Sequence, residues 1–268
     1  MFLSCSYNFF NAEEHLISSI KSVRNSVDYI TIVYQKTSNR GDVISECALD
    51  TINYIKKNKL CDNIYEYVPD LSKIPSDNET AKRKIGLSMA LEKKCSHFLS
   101  MDADGFYDEK QMKFAKEFIE KNKIIRSYCH SFMHLKSPRF RALDTTNVCF
   151  ITKINNKSDI GNFKSYVDMI DPTRRVKTKE SFIEKIFSKK FYMFSVDEVA
   201  MYHMNFVRKD KMISKLNNTS TTNKHFIDEI KKSITEWTPG KKFYFPGKGD
   251  FYFSEVENVF KTYDDYNV

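Results

Sequence analysis

Glycine and proline are both scarce in this chain of 268 residues, with seven of the first and six of the second. No stretch is low in complexity, and no unit of about 20 to 50 residues repeats. These absences exclude collagen-like chains, solenoids and extensive disorder. Because 41% of the residues are hydrophobic and 14% aromatic, the chain can bury a sizeable core. We expect one continuous globular domain.

Long apolar runs and paired cysteines are also absent. No run approaches the roughly 18 to 20 residues that span a bilayer. The six cysteines are scattered without a Cys-x-x-Cys pair, and no charged-then-apolar signal sequence opens the chain. We expect a cytoplasmic protein, with peripheral contact to the inner face of a membrane left open.

The formal net charge of +8 indicates attraction to polyanions. Nucleic acid, anionic lipid and phosphorylated small molecules all fit this charge. A lysine-rich solvated surface explains the excess equally well. Charge alone does not choose among these partners.

The first 122 residues alternate strand-like and helix-like segments, which predicts an α/β fold with a mostly parallel sheet flanked by helices. The pattern is looser beyond residue 122 and predicts a more irregular, mixed α/β part. The predicted strands are 2–7, 29–34, 64–68, 97–101, 124–128, 146–154 and 191–196. The predicted helices are 11–26, 45–58, 79–94, 108–122, 180–190 and 223–237, the first capped by Asn11 with Glu14.

Two aspartates, Asp102 and Asp104, directly follow the apolar strand 97–101. In an open parallel sheet, ligands bind beyond the carboxyl ends of the strands. An Asp-x-Asp pair offers hard oxygen ligands to Mg²⁺ or Mn²⁺, which combine one or two carboxylates with substrate phosphates. Gly105 lets the backbone turn away. A polar turn between strand and helix explains the same residues without any ligand.

Two other patterns suggest different chemistry. His130 and His134 have a spacing that binds zinc on a helix, but no second pair completes four ligands, so we do not expect zinc. The segment 240–253 interleaves lysines with aromatics, as single-strand nucleic-acid binders do. The same segment could instead pack as a strand or close over a ligand.

The stretch NETAKRKIGLSMALEKKCSHFLSMDADGFYDEKQM (78–112) resembles the GT-A glycosyltransferases, particularly the family-two-like members. In that family a basic helix, a hydrophobic strand and an acidic motif follow in this order. The opening SYNFFNAEEHLISSIKSVRNSVDYITIVYQKTSNRG (6–41) is similar to the opening of the same family. The resemblance extends over residues 2–122. It implies a GT-A-type, Rossmann-like sheet, with a nucleotide-sugar-binding half over 1–125 and an acceptor-binding half over 126–268 in one continuous domain.

The resemblance also implies a nucleoside-diphosphate sugar across the carboxyl edge of the sheet. Its diphosphate would lie on Mn²⁺ or Mg²⁺ held by Asp102 and Asp104, with His203 as a third ligand. Lys82 or Arg83 would stabilise phosphate charge or orient an acidic ligand. Each of these residues has an ordinary structural alternative: a core histidine, or the solvated first turn of a helix.

The nucleotide end of the site departs from the family pattern. Where many relatives carry an aspartate pair after the second strand, this chain reads YQKTSNRGD, with Gln35, Ser38 and Asn39 as polar candidates. Tyr7 and Asn8 are further candidates for contacting a base, or a core aromatic and a turn residue. Arg208 is expected to meet phosphate or to lie on the surface.

An inverting enzyme needs a carboxylate as general base to take the proton of the acceptor hydroxyl. Asp171 is the first candidate, and the competitors are Asp168, Asp197 and Glu198. We therefore expect a metal-dependent glycosyltransferase acting on a surface polysaccharide or a lipid-linked glycan. Two alternatives stay open: a nucleotidyltransferase, although no glycine-rich loop follows the first strand, and a non-catalytic nucleic-acid-binding protein.

Overall fold

The computed structural model describes residues 1–161, 163, 171–209, 212–218 and 223–263. The strands are β1 (Leu3–Phe9), β2 (Tyr29–Tyr34), β3 (Asn63–Glu66), β4 (His97–Asp102), β5 (Gly105–Phe106), β6 (Ile124–Leu135), β7 (Ser137–Lys153), β8 (Asp159–Ile160), β9 (Val176–Lys177), β10 (Lys189–Met193), β11 (Ala200–Phe206), β12 (Phe243–Phe245), β13 (Gly249–Phe251) and β14 (Ser254–Glu255). The helices are α1 (Glu13–Arg24), α2 (Glu46–Lys57), α3 (Pro75–Glu92), α4 (Glu109–Lys121), α5 (Phe182–Phe187), α6 (Met212–Asn217) and α7 (Lys224–Glu236), with a 3₁₀ turn at Pro172–Arg174.

The central sheet has ten strands in the order β3-β2-β1-β4-β7-β6-β11-β5, with β10 also paired to β6 and β14 to β7. The first four strands are parallel. Every residue of β1 and β2 is buried, because α1, α2 and α4 cover one face of the sheet and α3 the other. The predicted α/β fold is confirmed, and the mixed sheet flanked by helices is consistent with the GT-A-type arrangement.

The second half of the sheet differs from the prediction. The strand predicted over 124–128 is the start of the 12-residue β6, which forms a long antiparallel hairpin with the 17-residue β7. His130 and His134 therefore lie on a strand and not on a helix, and the helical zinc spacing does not apply. The ring of His134 is buried, and its Nδ1 lies 2.8 Å from the Pro138 carbonyl oxygen.

The sheet curls back on itself. Only two residues of the chain separate β4 from β5, yet β7, β6 and β11 lie between these strands in the sheet. The far edge of the sheet therefore returns to the loop that follows β4. This curl brings residues from the second half of the chain beside Asp102 and Asp104.

Helix α3 packs closely on β1. A Cβ atom at Gly86 would lie 1.9 Å from Ser6 Oγ, so only glycine fits there. The helix begins at Pro75, four residues before the predicted start. Lys82 and Arg83 consequently lie in the middle of α3, where both are buried, and not in a solvated first turn.

Local details correct one other expectation and bear on a second. Ala12, not Asn11, is the N-cap of α1, and the Asn11 side chain instead accepts a hydrogen bond from the Ser45 backbone N–H at 2.8 Å. The phenylalanines of segment 240–253 pack into a core with Trp237, which agrees with the packing alternative, whereas its tyrosines are exposed.

Two general properties complete the description of the fold. The six cysteines are free thiols, and four of them are buried. Among the described residues, no helix combines the length and the hydrophobicity that crossing a membrane requires.

Candidate active site

A cleft of about 380 Å³ opens at the carboxyl ends of β1 and β4. The chain runs from β1 outward to β2 and β3 before it returns to β4 on the other side of β1. This reversal of strand order is the switch point where ligands bind in open α/β sheets. Asn8 of β1 pairs in register with Asp102 of β4, so both residues lie at the mouth of the cleft. The volume is within the usual range for small-molecule sites.

Two buried arginines hold Asp102. The Arg83 Nη2 atom lies 2.9 Å from Asp102 Oδ1, and an Nη2 atom of Arg174 binds Asp102 Oδ2. Burial by itself would raise the pKa of Asp102, but the two guanidinium groups outweigh it and hold the pKa well below its usual value. Asp102 is therefore a fixed negative charge that orients two cations.

Asp104 lies beside a second set of basic residues. The pairing of β5 with β11 sets His203 opposite Gly105, and this places His203 Nε2 3.5 Å from Asp104 Oδ1. Arg208 Nη2 and Lys215 Nζ both bind Asp104 Oδ2, at 2.6 and 2.8 Å. Burial favours the neutral acid, but Lys215 and the other basic groups reverse this effect, so the pKa of Asp104 is well below its usual value.

Asp171 reaches the same cleft from the 3₁₀ turn. Its Oδ1 accepts hydrogen bonds from the backbone N–H and the hydroxyl of Thr173, at 2.8 and 2.6 Å. Its Oδ2 lies 2.8 Å from Arg83 Nη2 and 3.5 Å from Arg174 Nε. Arg83 and Arg174 each contact both Asp171 and Asp102, and they therefore link the second half of the chain to the first.

Helix α3 supplies one wall of the cleft. Glu79 and Lys82 are three residues apart and form an ion pair of 2.8 Å, and Asn8 donates a hydrogen bond of 2.6 Å to Glu79. Burial raises the pKa of Glu79, but Lys82 and Arg83 more than offset this, and the net pKa is lowered. The charged face of α3 is directed at the sheet because positions 79, 82, 83 and 86 share one side of a helix.

Several buried polar atoms at the cleft have no hydrogen-bond partner. On the β2 side these are acceptors, Gln35 Oε1 and Asn39 Oδ1. On the side of β4 and β11 they are donors, the Nε–H groups of Arg174 and Arg208. Unpaired buried polar atoms are costly, and in a native protein each needs an explanation. Their location points to a ligand that donates at one end and accepts at the other.

Most residues predicted for the site line the cleft, and three do not. Arg83 lies directly behind it. Tyr7 is fully buried in the core, where its hydroxyl accepts a hydrogen bond from Ser19 at 3.1 Å, so it does not contact a ligand in the cleft. Asp197 is exposed in the turn before β11 and does not line the cleft. Those that line it are Asn8, Gln35, Lys82, Asp102, Asp104, Asp171, His203 and Arg208.

Two other candidates for the general base were Glu198 and Asp168. Glu198 is held in the turn before β11 by Tyr192 and Ser195, and Asp168 lies outside the described residues.

Sequence reasoning missed three charged residues of the cleft, Glu79, Arg174 and Lys215. The only signal for them was the double arginine of DPTRR, since the other two look like ordinary helical surface residues.

A second cavity of about 330 Å³ adjoins the cleft. His203, Asn205 and Lys215 line both spaces. The rest of the second cavity is mainly apolar, with one ion pair of 2.7 Å between Asp144 and Lys248. The apolar residues are Met133, Phe206, Leu216, Phe226, Ile227, Ile230 and Phe245.

The charged groups as they stand do not fit a divalent cation. Both oxygens of Asp102 are bound by arginines, and Asp104 is bound by Arg208 and Lys215. Within the described ranges, no group of three histidine, cysteine, aspartate or glutamate side chains is placed to hold a metal ion. A metal ion would have to displace at least one of these ion pairs. Asp104 and His203 are close together, but their role as metal ligands stays a prediction.

Comparison with known proteins gives matches among solved structures alone. No protein-family model matches the chain, and no curated protein matches it significantly in sequence. The chain is similar to residues 1–349 of S. aureus TarS in complex with UDP, with 13% identity and a TM-score of 0.47 over 85% of this chain and 69% of that one. For the complex of the same protein with UDP-GlcNAc, the values are 12%, 0.46, 85% and 70%.

Proposed function

We propose that this protein is a glycosyltransferase that takes its sugar from a nucleoside-diphosphate donor. The observation that carries the proposal is the arrangement of unpartnered atoms in the switch-point cleft, acceptors beyond β2 and donors beside β4 and β11. A nucleobase offers N–H donors, and a diphosphate offers only acceptor oxygens. A nucleoside diphosphate laid along this edge of the sheet satisfies both ends.

In this orientation, each part of the donor has a proposed binding position. The base lies against Gln35 and Asn39, and the diphosphate reaches the free N–H groups of Arg174 and Arg208. Charge-assisted hydrogen bonds from guanidinium groups to phosphate are strong and directional. The sugar then lies near His203, where the cleft meets the second cavity.

The transfer itself is a substitution at the anomeric carbon. The acceptor hydroxyl oxygen forms a bond to that carbon, the bond from the carbon to the β-phosphate oxygen breaks, and its electron pair stays on the phosphate. The acceptor proton passes to a carboxylate, for which Asp171 is the candidate in the cleft. Fixed cations near the departing oxygen stabilise the charge that builds up there, and this lowers the barrier.

The second cavity is the proposed route of the acceptor. Its apolar lining suits an acceptor with a hydrocarbon part, such as a lipid-linked glycan, and an acceptor held there would lie next to the donor sugar, because His203 lines both spaces. The net charge of +8 would favour peripheral contact with an anionic membrane that holds such an acceptor.

Thermal unfolding with added nucleotides tests the proposed function. We expect UDP, GDP or CDP to raise the melting temperature by about 5 °C at a hundredfold excess over its Kd, since such binding adds about 2.7 kcal/mol of stability. Arg208→Gln should abolish most of this shift. The matched control is Arg126→Gln, which breaks a 2.7 Å ion pair to Glu180 away from the cleft and should keep the shift.

Two results would contradict the proposal. One is the absence of any shift with all three diphosphates, with or without divalent cations. The other is a larger shift with a nucleoside triphosphate than with the diphosphates, which would favour a nucleotidyltransferase.

A further inference from the structure

The ammonium group of Lys215 occupies a cage of three oxygens. Its Nζ donates to Asp104 Oδ2 at 2.8 Å and to both the backbone carbonyl and the side-chain amide oxygen of Asn205. Carboxylate, carbonyl and amide oxygens are the hard ligands that Mg²⁺ and Mn²⁺ take in proteins. In this chain a protein cation lies among them.

Two arginines line the same cleft as this ammonium group. Arg174 is fixed by Asp102, and Arg208 is fixed by Asp104 at 2.6 Å. Both guanidinium groups are buried, and each keeps an Nε–H without a hydrogen-bond acceptor. The aspartates therefore orient the cations before any ligand arrives, which is the condition for effective electrostatic stabilisation.

We infer that Arg174 and Arg208 bind the donor diphosphate in place of a divalent cation, with the positive charge of Lys215 at Asp104 adding to theirs. The inference rests on the proposed function and adds the source of positive charge at the leaving group. In this arrangement Asp102 and Asp104 are positioning residues that hold cations, and not metal ligands. The binding of a nucleoside diphosphate then does not depend on a metal ion.

Calorimetric titration of UDP, GDP and CDP into the full chain tests this inference, with EDTA in one series and Mn²⁺ in the other. The diphosphate that binds should have the same Kd within about twofold in both series. Lys215→Met should weaken binding about tenfold in both series, as expected for the loss of one positive charge worth about 1.4 kcal/mol near the diphosphate. Lys215→Arg should restore most of it.

The matched control is Lys153→Met. Lys153 also forms an ion pair with a carboxylate, that of Glu184 at 2.6 Å, but it pairs with His97 at the amino end of β4, away from the cleft. The Kd of Lys153→Met for the nucleoside diphosphate should equal that of the unmodified chain. The melting temperature of each variant without nucleotide checks that it is folded.

The outcomes separate this inference from the proposed function. Binding that occurs only with Mn²⁺ and is lost in EDTA would overturn the inference while the glycosyltransferase proposal stands. The inference would also be overturned, and the glycosyltransferase proposal would stand, if Lys215→Met binds the nucleotide as tightly as the unmodified chain in EDTA. If no nucleoside diphosphate binds in either series, the proposed function itself fails.

Discussion

Arg83 contacts several side chains of the site at once. Its guanidinium group binds Asp102 and Asp171 and also donates to the hydroxyls of Ser100 and Thr173, at 2.8 and 3.0 Å. The sequence places Arg83 in a basic helix and suggests contact with phosphate. The same reasoning gives orientation of an acidic ligand as its other possible role, and the contacts agree with that second role, because Arg83 lies behind the cleft and holds the carboxylates that line it.

Removing this guanidinium group should destabilise the fold. Arg83→Met leaves two partly exposed carboxylates without their shared cation, and since the guanidinium group itself is buried, the loss should cost about 3 kcal/mol, the lower end of the range for a buried ion pair. Lys84→Met, one residue along α3, breaks a half-exposed ion pair with Asp159 and should cost less than about 1 kcal/mol. Urea denaturation of both variants measures the difference, and equal losses would refute the structural role of Arg83.

At the scale of elements, α3 packs against β1 without room for a side chain at Gly86. This contact holds the charged face of α3 over the carboxyl end of the sheet. Gly86 permits it, since its missing side chain leaves room for Ser6. The sequence predicts both elements correctly, but a glycine inside a helical pattern does not reveal which strand it faces.

Gly86→Ala should therefore lower the free energy of unfolding by about 1 to 3 kcal/mol, although alanine is the better helix former. The added methyl group must push α3 away from β1, and nucleotide binding should weaken with it. Ser88→Ala, at an exposed position of the same helix, isolates the effect of helix propensity and should be neutral or slightly stabilising. Thermal unfolding that ranks Gly86→Ala at or above the unmodified chain would be inconsistent with this packing.

A helix or strand could be predicted from the sequence where the residues that determine it lie close together in the chain. The helices and strands predicted in the first 122 residues follow from periodicity and turn residues, and all of them are present, whereas the two-residue β5 was not predicted. The long hairpin of β6 and β7 and the strand β11 depend on pairing between distant segments, which no local pattern records. Lys215 shows the same limit in the site, because its partner Asp104 is 111 positions away in the chain.

At the scale of the whole molecule, one buried histidine joins three distant segments. His15 of α1 lies 2.8 Å from the Thr262 hydroxyl and 2.6 Å from the Val207 carbonyl oxygen. Burial and the nearby Arg208 lower its pKa to about 3. Burial also lowers the pKa of His97 to about 4 and that of His134 to about 3. All three are neutral in the folded protein at pH 7.

These histidines predict a loss of stability in mild acid. Their folded pKa values lie below the ordinary value of about 6.5, so the unfolded chain binds more protons between about pH 3 and 6.5. The free energy of unfolding therefore decreases as the pH falls through this window, by about 2 kcal/mol per histidine at pH 5. The site carboxylates, whose pKa values are lowered, add their own loss only at lower pH, below about 4.5.

Denaturation at pH 7 and pH 5 measures this dependence. His15→Asn should be less stable at pH 7 and should show a smaller difference between the two pH values. His225→Asn, at an exposed position on α7, should leave the difference unchanged. A stability that stays constant between pH 7 and 5 in the unmodified chain would contradict the buried neutral state of these residues.

The curled sheet has a consequence for building chimaeric proteins. The sequence pattern changes near residue 125, yet the strands after that point return to enclose the loop after β4. Arg174, Arg208 and Lys215, which follow that point, neutralise Asp102 and Asp104, which precede it. A graft of a foreign C-terminal portion would leave Asp102 and Asp104 facing unmatched side chains. Under the proposed function, a change of acceptor therefore requires exchange of the second-cavity lining, with the native basic residues retained.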